Sequence, residues 1–128
     1  MTHRRAISTP QAPPPAGTYS TAIVHGGLVY VSGQTPRLPS GERLLDAPFA
    51  EQVCAAMDNL AAVARAAGTT LDHALNVTVF LRDQAMGGLF DEIYRTYVGD
   101  PPPARTIVQS DLRVGEVELA AVIALPAE

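Results

Sequence analysis

Two charged side chains interrupt apolar runs near the C-terminus: Arg105 opens the alternating stretch Arg105 to Gln109, and Glu118 sits within Glu116 to Leu125. A lone charge in a strand is costly to bury unless it is paired or used. A guanidinium is planar, permanently charged and able to grip a carboxylate with two parallel hydrogen bonds. A glutamate carboxylate can take a proton from water and later return it. Together the two suit a site that holds a small carboxylic acid beside an activated water.

Competing chemistries have few residues to work with. None of the 9 basic residues is a lysine, which excludes Schiff-base lysines and pyridoxal-phosphate anchoring. Cys54 is the single cysteine, so no intrachain disulfide forms; beside an apolar helix stripe it reads as a small hydrophobe rather than a nucleophile. His3, His25 and His73 are scattered without metal-ligand spacing, so no metal site is expected. A formal charge of −4 without a basic cluster argues against a nucleic-acid partner. No stretch approaches the ~18 consecutive apolar residues of a membrane span, and no apolar segment follows the charged start M-T-H-R-R-A. The cytoplasm is the expected location.

The elements that must position Arg105 and Glu118 follow from hydrophobic periodicity. With 128 residues the chain fits one domain, taken as residues 16–128, behind a proline-rich flexible arm over residues 1–15. Ala22 to His25 and Leu28 to Val31 flank Gly26-Gly27, the signature of a two-residue hairpin. Residues 34–47 read as a loop. Asp46 is placed to cap a helix that runs to about Ala67 with Val53, Met57, Leu60 and Ala64 on one stripe. Val77, Val79 and Leu81 mark a strand buried on both faces. A second helix is expected from about Ala85 to Val98, with Leu89, Ile93 and Tyr97 on one face and Phe90 and Tyr94 beside it. Three prolines, 101–103, end it. Helices on one face of the sheet would leave the other bare and apolar, so self-association is expected.

Six segments in order resemble the reactive intermediate deaminases, the RidA/YjgF/YER057c/UK114 family. They are G-T-Y-S-T-A (17–22), V-S-G-Q (31–34), Gln52 with Asn59 and A-A-G (66–68), T-V-F-L-R-D (78–83), P-A-R-T-I-V (103–108) and V-E-L (117–119). The resemblance implies an α/β (α+β) chorismate-mutase-like fold: a mixed sheet of about six strands with two helices on one face. It implies a homotrimer with clefts between subunits, no metal or organic cofactor, and hydrolysis of 2-imino or 2-enamino acids to 2-oxo acids and ammonia. Arg105, Glu118, Tyr19 and Gly33 stand where that family has its site.

For such a substrate Arg105 would hold the carboxylate and Glu118 would handle the water. Gly33 would let backbone approach the ligand, and Tyr19 would offer a hydroxyl or a stacking face. The sequence departs from the family at Ile107, where many members have cysteine, and at Asp91, where the best-known members have asparagine. An apolar Ile107 would favour a different or bulkier substrate side chain. Asp91 would disfavour a second substrate carboxylate. Two arrangements of the last strands stay open. A direct hairpin would make Arg105 a diagonal neighbour of Glu118 on one face; the family fold inserts another strand between them. Alternatives in function are a non-catalytic module binding a 2-oxo acid or small metabolite, and a pathway-specific deaminase of aminomuconate or aminoacrylate type. Ribonuclease activity, also attributed to the family, has neither a basic groove nor an aromatic platform to support it here.

Overall fold

Residues 3–126 are described by a computed structural model. Six strands, β1 (Arg5–Ile7), β2 (Ala22–His25), β3 (Leu28–Gln34), β4 (Ala74–Leu81), β5 (Ala104–Gln109) and β6 (Val117–Ala124), form one mixed sheet in the order β1-β2-β3-β6-β4-β5. Two helices, α1 (Phe49–Ala67) and α2 (Gly87–Tyr94), accompany it. The fold class read from the sequence therefore holds.

The β2–β3 hairpin closes on Gly26 and Gly27 at φ +60° and +81°, the left-handed pair that a type I′ turn requires. Helix α1 packs on the sheet through Val53, Met57, Leu60 and Ala64, all fully buried. It ends at Gly68, whose φ of +95° lets its N–H reach the carbonyls of Ala64 and Arg65. Asp46 does not cap this helix: Pro48 occupies the N-cap position, and no side chain caps the helix there.

The second helix is shorter than the sequence suggests. The Asp83 carboxylate accepts from the Ala85 N–H and starts a 3-10 turn, Gln84–Met86, ahead of α2. Beyond Tyr94 the Thr96 hydroxyl and the Tyr97 N–H bond back three residues, which tightens the chain out of α geometry. Its buried pair is Phe90 and Tyr94, at i and i+4, while Leu89 is exposed. The stripe of Leu89, Ile93 and Tyr97 is thus displaced by one position.

The flexible arm expected over residues 1–15 is corrected by β1. Arg5–Ile7 pairs antiparallel with β2, and Ile7 and Ala12 are buried. The apolar side chains of this stretch find cover at the sheet edge, which proline content alone does not reveal. Met1 and Thr2 lie outside the described residues.

Strand β4 decides the arrangement that the sequence leaves open. It runs between β5, to which it is parallel, and β6, to which it is antiparallel. The last two strands are not a hairpin.

Candidate functional site

With β4 inserted, Arg105 pairs in register with Val77 and Glu118 with Phe80. Positions 77 and 80 of one strand point to opposite faces, because side chains alternate. Arg105 therefore shares the helix face with buried Val77, and Glu118 emerges on the open face. The diagonal-neighbour geometry is excluded: within one chain the two groups occupy separate environments.

On the helix face, Arg105 Nη1 donates to Asp91 Oδ1 at 2.7 Å, and Arg95 Nη2 donates to Asp91 Oδ2 at 3.0 Å. The hydrogen bonds from Arg105 and Arg95 hold the Asp91 carboxyl below its ordinary range. The Arg105 guanidinium lies 5.0 Å from the Tyr94 ring centroid and 6.0 Å from that of Phe90, within cation–π reach. Only its Nη1 is spent on a side chain among the described residues, and a guanidinium carries five donors. A cavity of about 380 Å³ opens here, with Asp91, Tyr94, Arg95 and Arg105 in its wall. Ile107, in register with Val79, packs partly buried against the core and is not part of that wall.

On the other face a cavity of about 390 Å³ gathers Tyr19, Gly33 and Glu118, three of the residues singled out from the sequence. Gly33 lies where the β3–β6 register shifts, between Val31 and Gln34. A Cβ placed on it would collide with Glu118 Oε2. The missing side chain is thus the space into which the carboxylate folds. Among the described residues the Glu118 carboxylate has neither a hydrogen bond nor an ion pair, and its partial burial pushes the carboxyl pKa up. Glu116, two residues before, is instead paired with Arg82 at 3.2 Å. The Tyr19 hydroxyl accepts from the Ala16 N–H at 2.9 Å.

The strand that carries Glu118 is anchored from α1. Gln52, buried, accepts from the Glu116 N–H at 2.9 Å and donates to the Ala47 carbonyl at 2.9 Å. Asn59, also buried, donates to the Arg37 carbonyl at 2.6 Å and fixes the loop after β3. That loop brings Arg37 and Arg43 into the Glu118 cavity. Neither was anticipated. Their one signal in the sequence is that both arginines fall in the loop ahead of the first helix.

Arg105 and Glu118 thus line separate cavities, one with a guanidinium that keeps free donors, the other with a carboxylate that has no side-chain partner among the described residues. No group of three or more His, Cys, Asp or Glu residues among those described could hold a metal ion, and no helix is long and apolar enough to cross a membrane.

Comparison with known proteins adds a second line of evidence. Residues 9–124 match the family model described as endoribonuclease L-PSP. The RutC family protein y4sK of Sinorhizobium fredii is 42% identical over 124 residues, covering 93% of this chain and 96% of its own. The 2-iminobutanoate/2-iminopropanoate deaminase of Rattus norvegicus is 38% identical over 106 residues, 83% of this chain and 77% of that protein. Among solved structures, RidA from an Antarctic Psychrobacter superposes with a TM-score of 0.89 at 31% identity, over 94% of this chain and 99% of that one. TdcF of E. coli with bound serine gives 0.85 at 26% identity, over 95% and 99%.

Proposed function

This chain belongs to the endoribonuclease L-PSP family, and from that premise we propose that it hydrolyses small 2-imino acids, or their 2-enamino tautomers, to 2-oxo acids and ammonia. The observation that carries the reading is Glu118: an unpartnered, partly buried carboxylate with a raised pKa, folded into the space left by Gly33. A rat relative at 38% identity bears the name of that activity.

The half-sites become one site between subunits. Strand β5 is an edge of the sheet, so Arg105 stands at the rim of its subunit. The open face of the neighbouring subunit supplies Glu118, Gly33 and Tyr19. We take the assembly as a homotrimer with three such clefts. Tyr30, 46% exposed and in register with Val122, belongs to the uncovered face such an assembly would bury. Cys54, free in the structure, fits a reducing cytoplasm.

In this site the free donors of Arg105 grip the substrate carboxylate while Asp91 and the Tyr94 ring fix the guanidinium plane. Water adds to the carbon of the protonated imine as Glu118 takes a proton from it, giving a neutral tetrahedral carbinolamine. Glu118 gives that proton to the nitrogen, the C–N bond breaks to release ammonia, and Glu118 takes the hydroxyl proton as the C=O forms; that proton passes to the departing ammonia, which leaves as ammonium. One water is consumed and no electrons are exchanged.

The test is ammonia release from imines generated in situ by an amino-acid oxidase. The wild-type chain should exceed the buffer rate, and Glu118→Gln should lose about a hundredfold or more, the usual contribution of a positioned base. A Glu118→Gln variant that still binds 2-oxo acids but does not turn over marks an enzyme. A wild-type rate equal to buffer on several side chains, with binding intact, would mark a metabolite-binding module.

A further inference from the structure

The Glu118 cavity contains two cations that the hydrolysis above does not use. Arg37 and Arg43 face each other across the loop between β3 and α1, joined by an isolated bridge between their backbones. Both are partly buried. Neither belongs to any of the ion pairs formed by the described residues, which are Arg82–Glu116, Arg95–Asp91 and Arg105–Asp91. Among the described residues Arg37 is held by carbonyls only: its Nε donates to Gly41 at 3.2 Å and its Nη1 to Pro14 at 2.6 Å. The Arg43 side chain makes a single long hydrogen bond among the described residues, Nη1 to the Thr35 hydroxyl at 3.5 Å. Two guanidiniums thus share a partly enclosed space with one carboxylate that burial discourages from ionising. Such a cavity carries excess positive charge, and a fixed pair of unpaired cations calls for an anion.

Taking the proposed deaminase site as its starting point, we propose that Arg43, with Arg37 behind it, forms a distal subsite for a second anionic group, so that the preferred substrates are 2-imino acids carrying a second carboxylate. Arg105 of one subunit holds the carboxylate next to the imine, Glu118 stands at the reacting carbon, and the side chain extends toward Arg43. A volume of about 390 Å³ on this side alone leaves room beyond the reacting atoms for an acidic side chain of two or three carbons. Asp91 does not oppose this. Its charge is matched by Arg105 and Arg95, so it enters the shared cleft beside Arg105 as an already paired group. Paired in this way, Asp91 brings less repulsion toward a second carboxylate than its residue type alone suggests. Pro13 and Pro14 line the same cavity, so the N-terminal segment, tied down through the Arg37–Pro14 bond, forms part of the subsite wall.

The test reads binding, which separates it from turnover. Affinities of the full-length assembled chain for 2-oxoglutarate and 2-oxobutanoate are measured by calorimetry, for wild type, Arg43→Ala and the more conservative Arg43→Gln. The expected result is a preference of about tenfold or more for the dicarboxylate, as a charge-assisted contact supplies, with the ratio collapsing toward unity in both variants. Equal wild-type affinities, or a preference that survives both substitutions, would overturn the subsite. Should the chain bind with this preference yet release no ammonia from either class of imine, the subsite stands and the hydrolase reading fails. Should it deaminate monocarboxylic imines with no preference in affinity, the reverse holds.

Discussion

Glu118 has two properties that normally exclude each other in a stable strand: it is partly buried and it has no partner. Burial disfavours its charged form, so its folded pKa lies above the ordinary glutamate value. A raised pKa means that its contribution to stability is present below the unfolded-state value and is lost as pH rises through the folded one. At neutral pH the ionised carboxylate is therefore a stability cost held for chemistry. Glu118→Gln should melt at the wild-type temperature or slightly above at pH 7 while losing turnover, checked by thermal unfolding beside the ammonia assay. The wild-type kcat/KM should fall as pH drops through a pKa above that of an ordinary carboxylate, and the variant's residual rate should lack that limb. Gly33 gives a finer probe. A Cβ there would collide with Oε2 of Glu118 and meet its Cδ and Cγ at 3.0 and 3.3 Å, all atoms of a flexible side chain. Gly33→Ala should fold normally, since the carboxylate can swing away, yet lose about tenfold or more in kcat because the base is displaced. Wild-type kcat in Gly33→Ala would show that the close approach has no catalytic role.

At the level of elements, α1 does more than cover the sheet. Its buried Gln52 holds the N–H of Glu116, the residue just before β6 and two before Glu118, and so fixes where that strand begins. Gln52→Leu leaves that N–H unpaired and should cost about 1–3 kcal/mol, measured by urea unfolding, with a larger loss in kcat than in substrate affinity. Much of this layer was legible in advance. The glycine pair of the hairpin, the Val53–Met57–Leu60–Ala64 stripe and the glycine stop at 68 are local signals, and each is where periodicity and turn chemistry put it. What could not be read locally was pairing across sequence distance. Nothing in the pattern of β5 and β6 says that β4 lies between them, and this one insertion moves Glu118 from the face of Arg105 to the opposite one. The same limit hid β1, whose three residues gain their meaning only from β2. It hid Arg37 and Arg43 as well, two loop arginines that become neighbours of Glu118 through the turn that follows β3.

For the whole molecule, the sheet has one face packed beneath helices and one that exposes Tyr30 beside Val122 and Thr78. A charge introduced there, Val122→Asp, should leave the subunit folded but dissociate it, since burying an unpaired carboxylate in an interface is strongly unfavourable. Sedimentation should show a trimer for the wild type and a smaller, inactive species for the variant. Assembly and activity are linked in this account because neither half-site is sufficient alone: Arg105 and Glu118 must come from different copies of the chain. The most direct test is complementation. Arg105→Ala and Glu118→Gln chains, each inactive alone, are mixed, unfolded, and refolded together. If each cleft draws its arginine from one subunit and its glutamate from the next, random mixing in a cyclic assembly restores both groups to about a quarter of the clefts, and ammonia release returns at roughly that fraction of the wild-type rate. A co-assembled mixture that stays as inactive as its parents would contradict the shared site.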